Sequence, residues 1–169
     1  VFVANDADAA GLAEMHFGAG REHSGTVLIV TVGTGIGTAL FHAGRLLPNT
    51  ELGHIYLDNG KEAEPYASEA TRVTKDLKWK DWGPRLGQVL GTLEHLLWPE
   101  LIILGGGVAS QPQLLPMVRV KTQALLNGYI QSPLVLTDID HYLVSPGLGN
   151  RSGVLGAIAL ARQALEQKA

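Results

Sequence analysis

Two kinds of apolar spacing alternate along the chain. Nearly unbroken runs at Val1–Ala4, Val27–Val32 and Leu101–Leu104 predict strands buried on both faces. Ala39–Ala43 predicts a further strand after a short junction, with Gly44-Arg45 as a turn, and Ile55–Leu57 and Leu134–Thr137 read as short strands. Other segments carry the helical period. Ala9–Phe17 is rich in helix formers, and Asp6 or Asp8 can cap it. Glu62–Ala70 opens a helix that tolerates Pro65 in its first turn. From Gly83-Pro84 onward, Leu86, Val89, Leu90, Leu93, Leu96 and Leu97 recur at spacings of three and four, up to Trp98-Pro99. Gln111–Leu126 and Val154–Lys168 predict two more helices, separated by the loop Ser145–Gly153. Strands alternating with helices indicate an α/β domain.

Chemistry-bearing residues gather where predicted strands end. The first long strand runs into Gly33-Thr34-Gly35-Ile36-Gly37. Glycines there leave room for a backbone to approach a ligand, consecutive free N–H groups at Gly33, Thr34 and Gly35 can cradle a phosphate, and Thr34 adds a hydroxyl donor. The same residues also suit a plain hairpin, and the spacing is neither a P-loop nor a dinucleotide fingerprint. Pro48–His54 follows as a polar loop in which Asn49, Glu51 and His54 can donate to and accept from hydroxyls. Gly105-Gly106-Gly107 after Leu101–Leu104 offers a second backbone approach to a phosphate or nucleotide, or a tight strand-to-helix turn. Asp6 sits at a strand end, where open α/β sheets bind ligands; it reads as a helix cap or as a general base for a hydroxyl. Glu64 reads as a helix-dipole partner or as a reader of a second hydroxyl. A phosphate cradle beside hydroxyl readers points to phosphoryl transfer to a polyol.

Composition narrows the class. A length of 169 residues suits one domain with a real core, and 46% hydrophobic with 17% charged residues excludes a disordered chain. The net charge of -3 gives no basic field for nucleic acid, and no apolar run approaches the ~20 residues of a membrane helix. The absence of cysteine excludes disulfides and thiolate zinc sites and fits a reducing cytoplasm. His16, His42, His95 and His141 stand alone, and no metal-ligand spacing is present. The stretch Arg72–Trp82 mixes four lysines and arginines with two tryptophans; it reads as a surface for a long anionic donor or as a solvated linker whose tryptophans dock on the core.

Asn5-Asp6-Ala7-Asp8-Ala9-Ala10, Gly33–Gly37, Glu51-Leu52-Gly53-His54, Glu64–Ser68 and Leu104–Val108, in that order, resemble the sugar kinases of the ROK family. Pro48–His54, Lys78–Trp82 and Leu97–Glu100 look closer still to the branch of that family that phosphorylates glucose from polyphosphate. The resemblance implies an actin-like ATPase (ribonuclease H-like, hexokinase-type) fold, a mixed sheet flanked by helices. It implies that Asp6 is the catalytic base toward the sugar's 6-hydroxyl, and that Asn5, Glu51, His54 and Glu64 hold the sugar. It places phosphate at Gly33, Thr34 and Gly35 and the nucleotide or donor at Gly105, Gly106 and Gly107. The activity implied is transfer from polyphosphate or ATP, with Mg²⁺, to glucose, in a homodimeric cytoplasmic enzyme. An ATP-dependent kinase for another hexose, such as mannose, and a sugar-sensing regulator are the rival readings. The family's Asp-x-Gly-Gly-Thr hairpin is absent, so residues 1–169 are expected to form the C-terminal large domain of a two-lobed kinase. The cysteines of the family's common zinc site are absent too, and Asn150-Arg151-Ser152 departs from the usual ending.

Overall fold

The computed structural model describes residues 5–166. Val1–Ala4, expected as a strand, and Lys168, the expected end of the last helix, lie outside the described residues. A helix α1 (Asp6–Phe17) leads into strand β1 (Thr26–Val32), which turns tightly into β2 (Ile36–His42) and then β3 (Arg45–Leu47). Helices α2 (Ala63–Ala67), α3 (Glu69–Thr74) and α4 (Trp79–Leu97) follow, then β4 (Leu101–Gly105) and α5 (Leu114–Leu126). Two single-turn helices, α6 (Pro133–Leu136) and α7 (Ile139–Tyr142), precede the short strand β5 (Leu143–Val144) and the last helix α8 (Ser152–Glu166).

The strands form one mixed sheet in the order β3-β2-β1-β4-β5. β2 is antiparallel to both β1 and β3, whereas β4 is parallel to both β1 and β5. The strand period of two splits the core cleanly. Leu28, Val30, Ile102 and Leu104 face one side and pack with Trp82, Leu86, Leu90 and Leu93 of α4 and Val118 of α5. Val27, Ile29, Leu101 and Ile103 face the other and pack with Leu12 and Met15 of α1 and Ala159 of α8. The central strands are therefore covered on both faces, which is why they read as unbroken apolar runs.

Several expected elements differ. Asn5, not Asp6 or Asp8, caps α1: its Oδ1 accepts the Ala7 N–H at 2.9 Å, and both aspartates fall inside the first turn. The predicted strand Leu134–Thr137 is helical; Pro133 occupies the first helical position with its φ preset, and the Leu136 and Thr137 amides bond back to Ser132 and Pro133. Ile55–Leu57 makes only an isolated bridge from Tyr56 to Glu62. Ser68 divides Glu62–Ala70 by capping α3. The helix expected from Gly83 begins earlier, at Trp79. The turn after β2 is Ala43-Gly44, both at positive φ, so Arg45 starts β3.

Candidate active site

The parallel pairing of β1 with β4 puts both glycine-rich turns at the same sheet edge, with Thr31 opposite Gly105. Gly106 adopts φ +92, and a Cβ there would collide with the Val32 backbone. Only glycine allows this close seating of the second turn against the start of the first. The first turn is tighter than expected. The Gly33 N–H is not free: it donates to the Gly35 carbonyl at 2.9 Å, closing the hairpin. Ile36 already belongs to β2, and its N–H donates to Glu64 Oε2 at 2.8 Å. Thr34 is exposed, and the amides of Thr34 and Gly35 have no partner among the described residues. The open amides of this turn are therefore those of Thr34 and Gly35, and Gly33 closes it.

Three further segments close on that turn. A Cβ on Gly35 would meet the Glu64 carboxylate, and one on Gly53 would strike the Ile36 carbonyl, so the loop carrying Glu51 and His54 is pressed against the hairpin. At Gly37 an added Cβ would lie 3.0 Å from Ala7 Cβ, which brings the first turn of α1 to the same place. His54 Nδ1 is hydrogen-bonded to Glu62 Oε1, leaving Nε2 as its outward face. That bond pushes the His54 imidazole above its ordinary range, and the charges of Glu64 and Glu51 add to it. Burial raises the Asp8 carboxyl, and the charge of Glu51 raises it further. These mutual effects show Asp8, Glu51, His54 and Glu64 as one electrostatic group.

Beside this group lies a cleft of about 820 Å³. Its lining includes Asp6, Ala10 and Glu14 on successive turns of α1, Thr31 with Gly105 and Gly106 at the sheet edge, and Ser145, Pro146 and Ser152 from the loop before α8. Leu115, Pro116, Ile29 and Ala10 make much of the lining apolar. Asp6 is exposed and carries no hydrogen bond or ion pair among the described residues. Arg119 also lines the cleft, but its guanidinium is committed to the Leu143 carbonyl and to Asp140. The structure thus gathers Asp6, Gly105 and Gly106 in the cleft, with Thr34, Gly35, Glu51, His54 and Glu64 around the adjoining hairpin. Asn5 is occupied as the cap through Oδ1. Asn49 lies exposed in a left-handed turn, φ 62, and no hydrogen bond ties it to the others. Gly107 is exposed, and its carbonyl accepts from Ser110.

Comparison with known proteins decides the family. The sequence profile of the ROK family matches residues 1–70 and 59–164. The chain belongs to the ROK family. Among its ROK relatives, the polyphosphate glucokinase of Mycobacterium leprae is 36% identical over 158 residues, covering 93% of this chain and 43% of the relative. That of Mycobacterium tuberculosis is 45% identical over 111 residues, 66% of this chain and 42% of the relative. The crystal structure of inorganic polyphosphate/ATP-glucomannokinase from Arthrobacter sp. strain KM superposes with a TM-score of 0.77 at 40% identity, covering 96% of this chain and 57% of that one. A ROK glucokinase from Streptomyces griseus, in complex with glucose and AMPPNP, gives a TM-score of 0.75 at 25% identity over 96% of this chain and 68% of that one. The chain thus spans about half the length of the curated relatives it matches. The expected α/β fold, a mixed sheet flanked by helices as in the actin-like ATPases, is the one found.

Sequence reasoning passes over two carboxylates of this ROK site. Glu62 is hydrogen-bonded to His54 from the N-cap of α2, and its place at the expected start of a helix gives no signal of that contact. Glu14 is buried at the cleft wall; its only sequence trace is its place two turns beyond Asp6 on a helix otherwise rich in alanine.

Proposed function

We propose that the chain supplies the acceptor and donor sites of a glucokinase that moves a phosphoryl group from ATP or polyphosphate to the 6-hydroxyl of glucose. The observation that carries this reading is the cleft that holds Asp6 and the Gly105-Gly106 turn together, next to a hairpin with open amides. Asp6, unpaired and at the mouth of α1, takes the hydroxyl proton as the general base. Glu51, the outward face of His54 and the second oxygen of Glu64 hold the remaining sugar hydroxyls, so that attack is in line. The Thr34 and Gly35 amides meet charge on the transferring phosphoryl. Among the described residues no ready-made group of three metal ligands exists. Mg²⁺ would be held chiefly by the donor's phosphates, with Asp6 as the exposed cleft carboxylate, and would supply charge neutralisation there.

The apolar lining favours a nucleoside donor, since a long polyphosphate would need free cations and the cleft's Arg119 is already paired. The Trp79 indole of the basic stretch is stacked under Arg72 and edge-on to Trp82, which supports its reading as a docked linker. A hexokinase that accepts mannose as well is the second reading, favoured by the glucomannokinase activity of the Arthrobacter relative. The deciding experiment compares initial rates with glucose and mannose against ATP and polyphosphate in wild type and Asp6→Asn. The variant should lose on the order of 10²–10⁴ in rate while still binding glucose. Near-normal turnover in Asp6→Asn removes the aspartate from its role, and equal rates with mannose establish the broader acceptor.

A further inference from the structure

We propose that Glu14 is a positioning residue that fixes the Gly147–Ser152 loop, which borders the donor cleft, to the helix bearing Asp6. This rests on the phosphoryl-transfer reading above. Glu14 is 1% exposed although it lines the cleft. Its Oε2 accepts the N–H groups of Ala19 and Gly147, both at 2.9 Å. Its Oε1 accepts the Leu148 N–H at 3.1 Å and the Ser152 hydroxyl at 2.7 Å. A carboxylate has about four acceptor sites, so nothing remains to bind a metal, a proton in flight or a phosphate. Its contribution is mechanical.

Three of those four donors lie on the segment Gly147–Ser152, which joins β5 to α8 and lies more than 130 residues along the chain from Glu14. Ser152 opens α8, so the carboxylate also sits at a helix N-terminus, where an anion is favoured. Closeness is built in: a Cβ on Gly147 would come within 2.7 Å of the Ala19 nitrogen, and one on Gly18 would collide with Glu14 itself. Asp6, Ala10 and Glu14 of α1 and Pro146 and Ser152 of this loop all line the cleft, and this carboxylate joins the two segments directly. The sugar side is held separately, through Glu64 on Ile36 and Glu62 on His54.

The test is a split between donor and acceptor constants in the natural full-length chain. Glu14→Gln places an NH₂ group against N–H donors, and should raise the ATP KM about tenfold or more while the glucose KM stays within about twofold. Gly147→Ala, which leaves the carboxylate intact and shifts the loop, should do the same to a lesser degree, and serves if Glu14→Gln does not fold. A lowered melting temperature with an unchanged ATP KM, or equal rises in both constants, overturns the proposal. If wild type transfers no phosphoryl group to a hexose, the kinase reading fails on its own. Calorimetric binding of AMPPNP then decides Glu14: weaker binding by Gly147→Ala supports it, and equal affinity overturns it. Absence of AMPPNP binding to wild type overturns both.

Discussion

Among the described residues each face of the sheet buries one glutamate, and the two are treated in opposite ways. On the α1/α8 face, Glu14 receives four hydrogen bonds from three amides and a hydroxyl. On the α4/α5 face, Glu94 of α4 is fully buried and neither of its oxygens has a well-formed partner. Tyr142 of α7 lies beside it and acts on it electrostatically, yet its hydroxyl also lacks a properly aligned bond. Burial therefore pushes the Glu94 carboxyl up to about 7. Burial pushes Tyr142 up as well, and the neighbouring Glu94 charge adds to it. A carboxylate taken from water must be saturated or neutralised. The fold saturates the one that borders the cleft and shifts the one that does not toward its protonated form.

Removing the saturated group should have the largest effect on stability. Glu14→Ala strands three backbone amides and a serine hydroxyl at a junction between α1, α8 and the loop after β5. A loss of about 3–5 kcal/mol is expected, in the range for breaking a buried charged network. Urea unfolding monitored by far-UV circular dichroism measures it. A loss below about 1 kcal/mol would mean that water replaces the carboxylate freely, and the contrast between the two faces would shrink.

The shifted group predicts a pH dependence. The folded-state value of about 7 lies above the ordinary 4.5 of the unfolded chain. Protonated Glu94 is tolerated, so its contribution is intact below pH 4.5 and is lost as pH rises through about 7. The loss approaches about 3 kcal/mol on full ionisation, since each pH unit between the folded and unfolded values is worth roughly 1.4 kcal/mol. Glu94→Gln should therefore be more stable than wild type at pH 8, by about 1–3 kcal/mol, and nearly equal to it at pH 5. Parallel stability curves for the two proteins between pH 5 and 8 would show that Glu94 reaches water or a partner.

The same contrast explains what can be read from sequence. β1 and β4 are legible because two covered faces demand continuous apolar runs, and α4 because one covered face demands leucines at spacings of three and four. β3 and β5 are not, since edge strands of two or three residues carry too little pattern. Leu134–Thr137 resembles a strand by residue type, but Pro133 and local amide bonds decide otherwise. In the site, Asp6, Glu51, His54 and Glu64 are legible as residue types at strand ends and in a polar loop. Their partners are not. Glu64 is anchored by an amide 28 residues away and Glu14 by groups up to 138 residues away, and a lone acidic residue on a helix reads as solvent-facing until its donors arrive. Gly33 reads as an open donor because hairpin closure consumes an N–H in a way that glycine spacing does not reveal.

The smallest effects sharpen the comparison most, because each removes a single hydroxyl beside one of the two carboxylates. Ser152→Ala deletes a hydroxyl whose proton lies between Glu14 at 2.7 Å and the Gly149 carbonyl at 3.0 Å, the shorter contact being charge-assisted. It should cost about 1.5–3 kcal/mol, the range for hydrogen bonds to charged groups. Tyr142→Phe deletes a buried hydroxyl that has no well-formed bond to lose. It should change stability by less than about 1 kcal/mol at pH 5, since removing an unsatisfied polar group offsets any weak contact. Above pH 7 the variant should fall further behind wild type, because the phenol is the group that favours ionised Glu94. Equal costs for the two substitutions at pH 5 would mean that Tyr142 and Glu94 share a bond as good as that of Ser152 and Glu14, and the asymmetry between the faces would be one of polarity rather than of satisfaction.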